Sequence, residues 1–114
     1  MNMQDLTRCY YIQQEDILKL KKLRLLDHVP VIDGQMHFND ENVGWITEMI
    51  HLMKLGLDDH SLVNYNASED TQTYILKKLR ASILEQLHLY QKKLDDVDYM
   101  IYEKENRKQK EGML

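Results

Sequence analysis

Between Thr71 and Gly112 the chain has neither proline nor glycine, and this uninterrupted stretch narrows most what it can fold into. Apolar residues recur along it as Leu76, Leu79, Ile83, Leu87, Tyr90, Leu94, Val97 and Ile101. Every step is three or four residues, the spacing of one helical face. Two adjacent fours around Ile83 have the form of a stutter, and from Leu87 onward the steps are heptad-like. The pattern predicts one helix of about 35 residues, roughly 50 Å long. Folded back on its own domain, such a stripe needs more cover than the roughly 70 preceding residues offer. Self-pairing hides it directly, so a homodimer with these residues in its seam is expected.

The preceding part is also helical in pattern, apart from one break. The only proline, Pro30, and the first glycine, Gly34, bracket two β-prone runs, with Val31 and Ile32 before Asp33-Gly34 and Met36 and Phe38 after it. A β-hairpin about an Asp-Gly turn is expected. Asn39 stands at a helix N-cap, followed by Asp40 and Glu41 where carboxylates favour the helix dipole. Ile46, Met49, Ile50, Met53 and Leu57 mark the buried face of that helix, and Gly56 is placed to stop it. Asp58 caps a shorter helix carrying Leu62, Val63 and Tyr65, and 64–70 reads as a connector. Upstream, Met3, Leu6, Cys9, Ile12, Ile17, Leu20, Leu23, Leu25 and Leu26 fit two short helices joined by a turn over 10–13, although the alternation at 18–25 also suits a strand. Cys9 shares a register with Leu6 and Ile12 and is expected to point inward as a structural, slowly reacting thiol.

The net charge of −4 argues against indiscriminate coating of nucleic acid, but the charge is unevenly spread. Residues 1–30 carry +1, 31–70 carry −7 and 71–114 carry +2, so any polyanion contact should involve the N-terminal segment. There Lys19, Lys21, Lys22 and Arg24 either meet phosphates or form a solvated surface. Gln13 and Gln14 lie at the start of the second helix, where a glutamine can read adenine through paired hydrogen bonds. One cysteine forms no internal disulfide, and the five histidines show no His-x-x-x-His pair, so neither a disulfide framework nor a metal site is expected. No phosphate loop, nucleophile elbow or acid–base constellation occurs, which predicts no enzyme activity, no catalytic residue and no cofactor. No membrane-length apolar run or signal-peptide layout is present, and a cytoplasmic location is expected.

The order of parts resembles the MerR family of transcription regulators. The likeness rests on Leu25-Leu26, Pro30, Asp33-Gly34, Phe38, residues 39–43, Leu55-Gly56-Leu57 and Leu62. Trp45-Ile46 and residues 62–65 look like the short, effector-domain-free members that resemble regulators of aldehyde and thiol stress. The resemblance implies a mostly α fold: a winged helix-turn-helix with a small hairpin wing, and a long C-terminal antiparallel coiled-coil dimerisation helix. The expected division is 1–70 for the winged-helix part, 71–109 for the dimerisation helix and 110–114 for a disordered tail. Implied partners are a second copy, promoter DNA that the dimer distorts, and RNA polymerase. Implied contacts are Gln13, Gln14, Lys19, Lys21, Lys22, Arg24 and, from the wing, His37. Departures from the family pattern fall on the same surface. Leu18-Lys19-Leu20 replaces an Arg-Tyr-Tyr run, Gln35-Met36-His37 replaces a wing arginine, and Tyr11 replaces the glycine of the turn. An interaction protein that keeps the fold and acts through protein partners without DNA is the alternative.

Overall fold

Short helices need their free N-terminal N–H groups satisfied, and this chain supplies a capping side chain for every α-helix but the second. The computed structural model describes residues 1–112, and its first helix, α1 (Met3–Cys9), starts on a reciprocal pair. The Asp5 N–H donates to Asn2 Oδ1 and the Asn2 N–H to Asp5 Oδ2, both at 2.9 Å. After α2 (Gln14–Lys22) and a hairpin, α3 (Asp40–Lys54) repeats the device. There the Asn42 N–H donates to Asn39 Oδ1 at 2.8 Å and the Asn39 N–H to Asn42 Oδ1 at 3.0 Å. Helix α4 (Asp59–Asn64) starts on Asp58, whose Oδ1 accepts the Ser61 N–H at 2.8 Å. That backbone bond holds the Asp58 carboxyl below the ordinary carboxylate range. A single 3₁₀ turn, Tyr65–Ala67, leads into α5 (Glu69–Gly112), whose start is closed by Ser68 Oγ accepting the Thr71 N–H at 3.0 Å.

The hairpin pairs β1 (Val31–Ile32) with β2 (Gln35–Met36) in antiparallel register, Val31 opposite Met36 and Ile32 opposite Gln35. Asp33 and Gly34 both have positive φ, 52° and 77°, as the expected Asp-Gly turn requires. Its base is tied down by backbone bonds: the His37 N–H donates to the Pro30 carbonyl at 2.8 Å and the Phe38 N–H to the Met1 carbonyl at 2.7 Å. Met36 and Phe38 are buried while Val31 and Ile32 are exposed, so one side of the hairpin sits on the core.

The chain divides into two units, Met1–Ile75 and Leu76–Leu114. In the first, Leu6, Ile17, Leu20, Ile46, Met49 and Leu62 are fully buried, drawing one core from α1, α2, α3 and α4. Gly56 at φ 97° ends the α3 segment after the Leu55 cap, as its position predicts. The alternation over 18–25 resolves as helix to Lys22 and turn beyond it, with Ile17 and Leu20 both buried three residues apart. Arg24, at φ 62°, then turns the chain, and the Leu25 N–H reaches back to the Leu20 carbonyl at 3.0 Å. The second unit continues α5 from Leu76; the helix itself begins before residue 71, at Glu69, and runs through residues 110–112, and the last two residues of the expected 110–114 tail lie outside the described residues.

Because the caps of α3 are reciprocal, Asn39→Ala removes a bonded acceptor and also leaves Asn42 without its tether. We expect a loss of about 1 kcal/mol in urea denaturation with an unchanged m value. Asn39→Asp should retain most of the stability. An unaltered midpoint for the alanine variant would show that the cap contributes nothing.

Candidate nucleic-acid interface

The surface around α2 is set by a four-residue reversal. The Tyr10 N–H closes α1 onto the Leu6 carbonyl at 3.1 Å, and Tyr11 then takes φ 55°, the left-handed region. A side chain there costs about 1 kcal/mol, and the Tyr11 ring, 89% exposed, makes no compensating contact with the core. Ile12 is half-buried and Gln13 occupies the N-cap of α2 with no side-chain cap bond. The sharp turn thus delivers α2 with Gln13 and Gln14 both exposed at its beginning.

Along α2 the inward side is Ile17 and Leu20, and Gln14, Glu15, Leu18, Lys19, Lys21 and Lys22 are exposed. Three of the candidate cations therefore cluster in the last turns of one nine-residue helix, with Arg24 in the turn just after it. They are not equally free. Lys19 Nζ lies 3.2 Å from Asp59 Oδ1 of α4, and Arg24 Nε lies 3.8 Å from Asp27 Oδ2. Lys21 and Lys22 have no ion-pair partner among the described residues. Glu15 and Asp16 occupy the first turn, at the end where Gln13 and Gln14 stand, and weaken the pull of the helix dipole on an anion. His37 is half-buried at the exit of the hairpin. The whole first unit carries six Lys and Arg against twelve Asp and Glu, so its average field repels polyanions and only the end of α2 offers a local exception.

Helix α5 keeps its apolar stripe open within the chain. Leu76, Ile83, Leu87, Tyr90, Leu94, Val97 and Ile101 are between 41% and 67% exposed, and Leu79 is half-buried. Lys93 Nζ sits over the Tyr90 ring, 5.2 Å from its centroid.

One expectation is overturned. Cys9 is exposed although it lies three residues after the buried Leu6 within α1: it is the last residue of that helix and Ile12 belongs to the reversal that follows, so no continuing helical face covers the thiol. The counter-ions Asp59 and Asp27 were not predicted. Asp27 lies three residues from Arg24 and could have been found from spacing, whereas Asp59 reaches Lys19 only through the packing of the first unit. Among the described residues, no group of His, Cys, Asp and Glu could hold a metal ion, and no helix is long and apolar enough to cross a membrane. No family model, curated protein or solved structure matches the chain.

The exposed Cys9 should react with a thiol reagent in the native protein at a rate within about an order of magnitude of that in urea. Cys9→Ser should change stability by less than about 0.5 kcal/mol. Protection of the native thiol by several orders of magnitude would place it back inside.

Proposed function

We propose that the chain is a dimeric DNA-binding regulator of MerR type, with α1 and α2 as the helix-turn-helix, the β1–β2 hairpin as the wing and α5 as an antiparallel coiled-coil dimerisation helix. The observation that carries this reading is the left-handed backbone at Tyr11. MerR-like sequences place glycine there, and a positive φ is the reason a turn would select glycine. The chain keeps the turn despite having lost the residue that favours it. The buried Leu20 and Leu26, and the hairpin seated through Met36 and Phe38, add support in the order the resemblance implies. In this reading Gln13 and Gln14 face base edges, and Lys21 and Lys22 meet phosphates. A distorted promoter is read through its deformability more than through many direct contacts.

The dimer is supported by a symmetry in α5. A reversal of direction that sends Leu76 to Val97, Leu79 to Leu94 and Ile83 to Tyr90 also sends Lys77 to Asp96 and Lys78 to Asp95. Antiparallel pairing therefore sets six of the eight stripe residues against one another and Lys77 and Lys78 beside Asp96 and Asp95, with Arg80 opposite Lys93 as the one like-charge pairing within 76–97. Parallel pairing sets each charged stretch beside its own copy. These charges flank the seam, so they act as a salt-screened field that selects direction, and the apolar contacts supply the affinity.

A second reading, an interaction protein that has lost DNA binding, is favoured by the two ion pairs that occupy Lys19 and Arg24 and by the acidic excess of the first unit. The two readings part in a salt titration. As a regulator, the dimer has four unpaired lysines on the two α2 helices and at most eight cations there, which predicts a log–log slope between about −4 and −7. Lys21→Ala with Lys22→Ala should weaken binding to all sequences, and Gln14→Ala should alter which sequence is preferred. A folded dimer that binds no DNA at low salt establishes the second reading.

The seam is tested by disulfide trapping in a Cys9→Ser background. Leu87→Cys lies next to the two-fold axis and should crosslink to its copy, whereas Leu79→Cys should not, its copies being offset by about 22 Å along the helix axis. Efficient crosslinking of both would mean a parallel pair, and a monomer in light scattering would remove the dimer altogether.

A further inference from the structure

On the first unit, away from α2, a cleft of about 480 Å³ is lined by His28, Asn39, Glu41, Asn42, Trp45 and Asn66. Its polar groups divide into those already engaged and those left over. Asn39 and Asn42 commit their Oδ1 atoms to the reciprocal cap, which occupies the backbone N–H groups of both residues at the start of α3. Asn66 is committed as well, its Oδ1 accepting from Gln72 Nε2 at 3.1 Å and its amide nitrogen directed at Met49 Sδ at 4.0 Å. Glu41 makes no hydrogen bond or ion pair among the described residues and is exposed. Trp45 stands four residues further on, so indole and carboxylate share one face of α3. The ring is held by His28, whose imidazole meets it edge-to-face at 4.9 Å and 82°.

We propose that this cleft binds an organic cation, an ammonium or guanidinium group seated between the Glu41 carboxylate and the Trp45 indole. Glu41 and Trp45 together are complementary to that chemistry: a carboxylate supplies the charge, beyond what offsets the positive end of the α3 dipole, and the ring supplies a negative face and an apolar wall. The surrounding sequence raises the local concentration of cations, since residues 31–70 carry a net −7. The half-buried ring beside the exposed carboxylate distinguishes the cleft from a bare acidic patch, where a cation gains little. The cation arrives either as a free small amine or as a lysine or arginine side chain of a protein partner, and the recognition is the same for both.

Trp45 is the only tryptophan, so intrinsic fluorescence reads this cleft without a label. Titration of the full chain with N-acetyl-arginine amide at constant ionic strength should give a saturable change at roughly millimolar concentration. The citrulline analogue, equal in shape but uncharged, should give none. Glu41→Gln should weaken the binding about fivefold and Glu41→Asp should retain it, with circular dichroism confirming that both are folded. A tetra-arginine peptide binding more tightly than four independent copies of the monomer assigns the cation to a protein partner, and equal affinity per side chain assigns it to a free amine. No saturable change, equal binding of citrulline, or an unaltered Glu41→Gln variant overturns the proposal. The cleft uses none of the α2 residues, so Lys21→Ala with Lys22→Ala should leave this titration unchanged whatever their effect on DNA.

Discussion

Four short helices and a two-residue-strand hairpin have little structure of their own, and what holds them is the shared burial of six side chains with no accessible surface: Leu6, Ile17, Leu20, Ile46, Met49 and Leu62. Helices of six to nine residues are too short to be stable alone in water. Each is stabilised by giving one or two residues to this cluster, and all but α2 also close N-terminal donors with a capping side chain. Leu6 is the single fully buried residue of α1, as Leu62 is of α4, so each of these helices rests on the core chiefly through one side chain. The turns at Tyr11, Arg24 and Gly56 set the angles at which those contributions meet, which is why backbone with positive φ is tolerated at two non-glycine positions between helices.

The same arrangement decides what remains on the surface. Putting Ile17 and Leu20 inside leaves α2 with a mixed outer face of glutamine, leucine, lysine and an acidic first turn. A surface of that kind has fewer cations than a phosphate-tracking helix generally uses, and the head that carries it is acidic. The proposed regulator therefore depends on avidity from two copies, and the self-complementary sequence of α5 is what would supply the second. The cation cleft lies in the acidic part of the head, where the field that opposes DNA becomes an advantage.

Much of the fold was legible in the sequence because its signals are local. Asn39, Asp58 and Gly56 announce helix ends through the chemistry of free N–H groups and positive φ, and Asp33-Gly34 announces the hairpin in the same way. The stripe from Leu76 to Ile101 is readable because nothing interrupts it. The α1–α2 surface was less legible for two reasons. Cys9 sits where a helical register ends, and periodicity does not reveal its own last residue. Lys19 acquires Asp59 from forty residues away, and no spacing rule connects them. Tyr11 lies between these cases: its left-handed backbone follows from the need for a tight reversal, but its residue type points the other way.

The contact between Lys19 and Asp59 alters what added salt does to this surface. For an isolated lysine, counterions only compete with a polyanion. Here a half-exposed carboxylate already acts as a fixed, intramolecular counterion, and a phosphate that engages Lys19 must first displace it. Salt weakens the internal pair as well as the external one, so part of the competition cancels. Lys19 is thereby buffered, contributing less in dilute salt than its charge suggests and losing less as the salt rises. Any polyanion affinity of α2 should fall along a curve that is flattest at low ionic strength, a signature that belongs to the acidic helix beside it.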